Sequence, residues 1–365
     1  MFYHSIIRPI LFLCDPESIH NTTLSVARIA GGDPPLRAML RRMFVFEDSR
    51  LRTTVGGLEF PNPVGLAGGF DKNGVAVRGL AAAGFGSVEV GSVSAYPSEG
   101  NPVRPRLFRV PEDEAIVVYY GVPNDGAEAV ADRLAPVRLP VPLGINLVET
   151  NTGKPSDHDH VIEELILAAK PFLTVADYIT LNLNCPNTTA GKSPFDDPEN
   201  LRLLLAGYAA YDTMPPTFVK VVPTTDPETI DRTLMAIDPF PFVKGIVFGL
   251  PTGKPYAGLK TPAEQLDRMP GTLCGRPVRM LVDDSIRAWY PRMDTKRHVL
   301  VGVGGIFTAE DAYAKIRLGA SLVQLYTALI YHGPGLVKQI NQGLCRLLER
   351  DGLAHISEAV GLDVR

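Results

Sequence analysis

Cysteine is scarce in this chain. Four cysteines occur among 365 residues, at positions 14, 185, 274 and 345, and no two form a CxxC pair. That spacing argues against a disulfide framework and a zinc site, and fits a reducing compartment. No run reaches the ~18 consecutive apolar residues of a membrane span. The N-terminal MFYHSIIRPILFLCD is apolar but short, without the small-residue cleavage site of a signal peptide or the Arg/Ser bias of a transit peptide. A basic field is also missing. Thirty-six Lys and Arg stand against 40 Asp and Glu, a net charge of −4, which argues against a nucleic-acid partner. No GxGxxG follows the first strand pattern, which disfavours a doubly wound dinucleotide fold.

What is present is a repeated pattern. After the hairpin-like TTVGGLEFPNPVGL, eight short β-rich runs recur: PVGLAG (63–68), GSVEVGSV (86–93), PLGINL (142–147), DYITLNLN (177–184), FVKVVP (218–223), KGIVFG (244–249), HVLVGVGG (298–305) and SLVQLYT (321–327). Helical patterns such as VIEELILAAKPFL, PENLRLLLAGYAAY and AEDAYAKIRLGA lie between most of them. Near-continuous apolar strands alternating with helices predict a parallel sheet covered on both faces. Eight such units predict a closed (β/α)8 TIM barrel, an α/β fold, over residues 46–365. Residues 1–45 read as a separate helical extension. Their basic-apolar spacing suits a helical pair packed on the body, or an amphipathic pair resting on a membrane, and the residues alone favour the first.

Barrel chemistry sits at the C-terminal strand ends. Those ends carry Gly68, Gly69 and Lys72, then Ser92, Asn146, Asn182 with Cys185, Lys220 within its strand, Gly249, the GVGG of 302–305, and Tyr326-Thr327. Glycines on strand seven allow backbone N–H groups to approach a phosphate, and those of strand one let a flat ring lie close. Lys220 lies in the apolar run FVKVV, and a lysine aimed into a barrel needs an anionic or electron-rich partner. Together these features describe a phosphorylated flat cofactor beside a cation, which flavin mononucleotide (FMN) fits. No metal is expected. Cys185 reads either as a small buried residue or as a base, with an ordinary thiol pKa of about 8.5. Its polar loop after strand four favours the base. Asp71 reads as an anchor for its own loop, and DHDH (157–160) as a helix-capping segment rather than a metal cluster.

The stretches DPESIHNTT, NPVGLAGGFDKNG, GFGSVEVGSVSAYPSEGNPVRPRLFR, PLGIN, LNLNCPNT, GRP, VGVGGI and GASLVQLYT cover nearly the whole chain. In this order they resemble the dihydroorotate dehydrogenases, most closely the quinone-linked class 2 branch. The resemblance implies an FMN barrel preceded by a helical cap that forms a quinone tunnel and touches the membrane. It thereby reverses the preference for residues 1–45. It implies flavin contacts from Gly68, Lys72, Ser92, Asn146, Asn182, Lys220, Gly275, Gly305, Tyr326 and Thr327. Quinone contacts would come from His20 and Arg106, and substrate contacts from Lys72, Asn182 and Asn187, with Cys185 as the proton-abstracting base. A cytoplasmic enzyme, peripheral on the inner membrane face, is the corresponding location.

The chain also departs from the family pattern. Class 2 members usually carry serine at the base position, and cysteine is typical of class 1. Where the family shows Asn-Arg-x-Gly-Phe-Asn-Asn, this chain has VYYGVPND, with Val118 and Tyr119 in place of an amide and a cation. Where the family has an Asn-Thr or Asn-Ser pair at strand six, FGLPTGKP puts Leu250 and Pro251. Three readings follow. The first is an FMN dehydrogenase acting on a different small cyclic substrate with a quinone-type acceptor. The second is ordinary dihydroorotate oxidation, with Thr252 or Asn124 supplying the missing contacts. The third is a flavin-binding protein without turnover. Retention of Lys72, Asn182, Cys185 and Asn187 disfavours the third, and the replaced amides place the first above the second.

Overall fold

The computed structural model describes residues 3–154, 157–183, 185 and 193–364. A π-helical turn, Tyr3–Ile7, leads into α1 (Arg8–Phe12), followed by α2 (Pro16–Gly32) and α3 (Pro34–Phe44). Asp15 and Asp33 cap α2 and α3, accepting from the amides of Ser18 at 2.8 Å and Leu36 at 2.9 Å, each before a proline that presets the first turn. The hairpin β1 (Thr53–Val55) and β2 (Leu58–Phe60) comes next. Its turn residues Gly56 and Gly57 both have positive φ, +60° and +83°, which a two-residue hairpin turn demands.

The body then runs β3 (Val64–Asp71), α4 (Val77–Ala81), β4 (Ser87–Val93), β5 (Leu107–Val110), β6 (Ala115–Val118), α5 (Ala127–Leu134), β7 (Leu143–Leu147), α6 (His158–Ala169), β8 (Tyr178–Asn182) and α7 (Pro198–Tyr208). It continues with β9 (Thr217–Val221), α8 (Pro227–Ile237), β10 (Val243–Phe248), α9 (Ala263–Asp267), β11 (Thr272–Gly275), α10 (Arg279–Trp289), β12 (Val299–Val303), α11 (Ala309–Leu318) and β13 (Ala320–Leu325). Helices α12 (Thr327–His332), α13 (Leu336–Asp351) and α14 (Ile356–Ala359) end the chain.

Strands β3, β4, β7, β8, β9, β10, β12 and β13 pair in parallel and close into one barrel. Each coincides with one of the eight runs read from the sequence. Every residue of β4 and β7 is buried, because helices cover one face and barrel side chains fill the other. Phe60 of the hairpin closes the lower end, its ring 6.5 Å from that of Tyr178, which meets Phe218 edge-on at 5.5 Å.

A further sheet, beyond the hairpin and the barrel, has no counterpart in the sequence reading. β5, β6 and β11 form an antiparallel three-stranded layer beside the upper mouth. Each of these strands has four residues, too short for an alternation pattern to register. Their partnership depends on the distant segment 272–275 arriving alongside. The DHDH stretch does open a helix: Asp157 is the N-cap residue of α6, without a side-chain cap bond, and His158 to His160 form its first turn.

Candidate active site

The barrel strands deliver their C-terminal ends to one cavity with about 1150 Å³ of open space. Gly68, Lys72, Ser92, Asn182, Cys185 and Lys220 line it from strands one to five, and Gly275, Gly305, Tyr326 and Thr327 complete the lining. Asn146 stands behind Ser92. Thr252 is exposed and absent from the lining, and Lys254 donates to the carbonyl of Leu266 at 2.8 Å instead of reaching the cavity. Asn187 lies outside the described residues.

A hydrogen-bonded relay runs beneath the cavity. Glu89, fully buried in the barrel, accepts from Asn146 Nδ2 at 2.8 Å, Gln324 Nε2 at 2.9 Å and Thr180 Oγ1 at 3.1 Å. With its nitrogen given to that carboxyl, Asn146 turns its amide nitrogen down and its oxygen up. That oxygen accepts from Ser92 Oγ at 2.5 Å, and Ser92 Oγ in turn accepts from Asn182 Nδ2 at 3.0 Å. The polarity of two amides at the cavity floor therefore traces to one carboxylate. Sequence reading missed Glu89, although a glutamate within SVEVGSV is as anomalous in a buried strand as Lys220.

Lys220 is 9% exposed, and among the described residues no carboxylate lies within 4 Å of its ammonium. A buried cation without a counter-ion is costly unless a ligand supplies the charge. Two side chains that line the cavity carry a buried polar atom without a hydrogen-bond partner among the described residues, Gln324 Oε1 and the Tyr120 hydroxyl. Gly69 has φ +105°, and a Cβ there would project toward the Tyr326 ring, 3.7 Å away. An apolar slot with an unneutralised lysine, orphaned polar atoms and glycine walls fits a flat anionic group such as a flavin. Cys274 also lines the cavity, but burial pushes its thiol up to about 12, against the pull of Lys220, which leaves it inert. Cys185, half-buried after β8, is the accessible thiol of the cavity.

Lys72 donates to the Gly69 carbonyl at 2.8 Å, and its ammonium sits 4.1 Å above the centre of the Tyr120 ring. Burial, reinforced by the Arg106 charge, brings its pKa down to about 8. Asp71 beside it accepts from the amides of Val75 at 3.0 Å and Ala76 at 2.7 Å, anchoring the loop that carries Lys72.

Lys72 and Tyr120 also line a second cleft, between α2 and the barrel, where His20 and Arg106 lie. The His20 ring meets Phe70 edge-on at 5.1 Å, and Phe70 meets Tyr326 at 5.4 Å, an aromatic row leading into the cavity. Burial and the Lys72 charge lower the His20 pKa to about 3, so this ring is neutral. Arg106 is buried, ion-paired to Glu17 at 2.5 Å and bonded to the Glu99 carbonyl at 2.9 Å, with its guanidinium 5.3 Å from the Tyr120 ring. Arg109, three residues on, was not singled out from sequence. It donates to the carbonyls of Phe12 and Cys14 and lies 4.6 Å over the Phe12 ring, tying β5 to the N-terminal helix.

The remaining wall is apolar. Ile116, Val118, Val122, Leu250 and Pro251 border the cavity. Asn124 does not compensate: its Nδ2 donates to Ser94 Oγ and the Val122 carbonyl, and its Oδ1 accepts from the amides of Ser94 and Gly126.

The dihydroorotate dehydrogenase family model matches residues 50–348. The chain belongs to that family. A relative from Natronomonas pharaonis, named dihydroorotate dehydrogenase (quinone), is 38% identical, with all of both chains covered. One of the same name from Mycobacterium tuberculosis is 37% identical over 98% of each chain. Among solved structures, dihydroorotate dehydrogenase of Eimeria tenella with ferulenol superposes with a TM-score of 0.81 at 27% identity, covering 96% of each chain. The chain falls in the quinone-linked branch of that family, whose members are flavin-dependent oxidoreductases acting on CH–CH groups. Its N-terminal helices precede the matched barrel, and no helix among the described residues is long and apolar enough to cross a membrane.

Proposed function

We propose that this protein is an FMN-dependent dehydrogenase that oxidises a C–C single bond next to a carbonyl in a small cyclic acid and passes the electrons to a quinone. A flavin bound in the cavity would supply the hydride acceptor. Lys72 holds the substrate carboxylate, and Asn182 and Asn187 face ring carbonyl and N–H edges. Cys185 takes the proton from the carbon beside the one that loses hydride. Lys220 supplies the cation beside the cofactor, and Gly275, Gly305 and Thr327 hold its phosphate end. His20 and Arg106 serve the acceptor side, supported by the aromatic row from His20 to Tyr326. Residues 1–45 act as the acceptor-side cap on a barrel of residues 46–365. The enzyme is cytoplasmic, with peripheral contact to the inner membrane face.

One observation carries the substrate reading: the apolar wall of Val118, Leu250 and Pro251 stands where the family pattern has amides. Each polar group that a ring substrate leaves unpaired there costs ~1–3 kcal/mol. Two such losses amount to roughly 30-fold or more in discrimination, by that estimate. Neither candidate replacement supports dihydroorotate, since Thr252 is exposed and Asn124 spends its amide on Ser94, Val122 and Gly126. The names of the relatives favour the second reading, dihydroorotate itself as substrate. Anaerobic addition of dihydroorotate to the yellow protein separates the two. Slow or absent bleaching, with rapid bleaching by another cyclic acid, is the expected result. Rapid bleaching by dihydroorotate refutes the altered-substrate reading.

A further inference from the structure

The cavity joins two unlike surfaces. One is polar. The Lys72 ammonium gives an N–H to the Gly69 carbonyl and has others for an anion. Asn182 donates through Nδ2 to Ser92 Oγ, and an amide carries a second N–H and an oxygen with which to meet a ring carbonyl. The other surface belongs to the sheet of β5, β6 and β11. Ile116 and Val118, two residues apart on β6, face the same way, and Cys274 of β11 lies opposite Ile116 in the ladder. Leu250 packs against this cluster, and Pro251 follows it. Tyr120 is part of the same cluster, with the Lys72 ammonium 4.1 Å above its ring, so the cation and the apolar wall are contiguous.

This wall has little to offer a polar edge. β6 is the central strand, so its backbone N–H and C=O groups go to β5 on one side and β11 on the other. Pro251 has no N–H. The side chains provide only the Tyr120 hydroxyl and the Cys274 thiol, and the thiol is turned to the Thr272 carbonyl at 3.7 Å. A cyclic ureide held by Lys72 and Asn182 would bring two N–H groups and a second carbonyl to this surface, whereas methylenes would leave water for it favourably.

We infer that the substrate is a carbocyclic keto acid, a ring whose carboxylate meets Lys72, whose one carbonyl meets Asn182 and whose hydrocarbon edge lies on Val118, Leu250 and Pro251. The inference rests on the altered-substrate reading above and names its class. In the reaction the ring carbon between the carbonyl and the carboxylate-bearing carbon loses a proton to Cys185. The carboxylate-bearing carbon loses hydride, a C=C bond forms between the two, and the electron pair ends on the quinone-type acceptor.

Binding to the oxidised, flavin-loaded protein tests this without turnover. Orotate is compared with 3-oxocyclohex-1-ene-1-carboxylate, which keeps the carboxylate, double bond and adjoining carbonyl and carries methylenes in place of the ureide atoms. Followed through the flavin spectrum, the keto acid should bind at least about 15-fold more tightly, the worth of burying two methylenes. Val118→Asn with Leu250→Asn should narrow or reverse that preference. Leu250→Asn alone, outside the strands, should move it the same way if the pair does not hold flavin. Racemic 3-oxocyclohexane-1-carboxylate should bleach the flavin anaerobically. Equal or tighter binding of orotate, a preference unmoved by the Asn variants, or no bleaching by the saturated keto acid overturns the inference. The altered-substrate reading survives that failure as long as dihydroorotate bleaches the protein slowly or not at all. Rapid bleaching by dihydroorotate overturns both.

Discussion

Lys72 supplies the sharpest pH prediction. Its ammonium is buried beside the Arg106 charge and held by one carbonyl and one aromatic face, which places its pKa at about 8. The charged form therefore dominates below pH 8 and is lost above it. An anionic ligand that needs Lys72⁺ must bind more weakly as pH rises through that value, tenfold for each further unit. Turnover would mix the chemistry of Cys185 into the profile, so the measurement belongs in Cys185→Ala protein. There, the Kd of a cyclic carboxylate, followed through the flavin spectrum, should be level from pH 6 to about 7.5 and roughly tenfold higher at pH 9. His20 does not interfere, since its pKa of about 3 leaves it neutral throughout. Lys72→Arg should flatten the profile, because a guanidinium stays charged. Glu17→Gln should move the midpoint lower, since Glu17 offsets the Arg106 charge that faces Lys72. A level profile through pH 9.5, or a midpoint unmoved by Glu17→Gln, refutes the role of Lys72 and the electrostatic account of its pKa together.

Three other outcomes are expected. Cys185→Ala should keep its flavin yet lose about 10²- to 10⁴-fold in the rate of flavin reduction, and stopped-flow bleaching with the true substrate measures this. Ser92→Ala removes both of its relay bonds, at about 1 kcal/mol each, and should weaken flavin binding roughly 30-fold, read from flavin fluorescence on release. Phe60→Ala should cost about 3–5 kcal/mol by opening a cavity under the barrel, seen as a lowered denaturant midpoint, while the distant cavity keeps its flavin spectrum.

The sequence by itself determined the barrel. Eight apolar runs at βα spacing became its eight strands, because strand burial on both faces writes itself as local hydrophobic runs. It also determined which strand ends meet, since a closed parallel barrel brings every C-terminal end to one rim. Lys220 and Cys185 were conspicuous there as polar groups in or beside apolar strands. Asp71 was legible as a loop anchor from its own neighbours.

Only the tertiary structure decided the rest. Glu89 gains its meaning from Asn146, Thr180 and Gln324, which arrive from three other strands. The sheet of β5, β6 and β11 exists because residues 272–275 come to lie against 115–118. The three-residue interval between Arg106 and Arg109 did not reveal that one faces Glu17 and Tyr120 while the other reaches the first helix. Asn124 and Thr252 looked able to replace lost amides until their own partners and exposure were known. The division has one physical cause. Burial pattern and turn chemistry are properties of neighbours along the chain, whereas the direction of a hydrogen bond and the neutralisation of a charge depend on which distant groups share the same few ångströms.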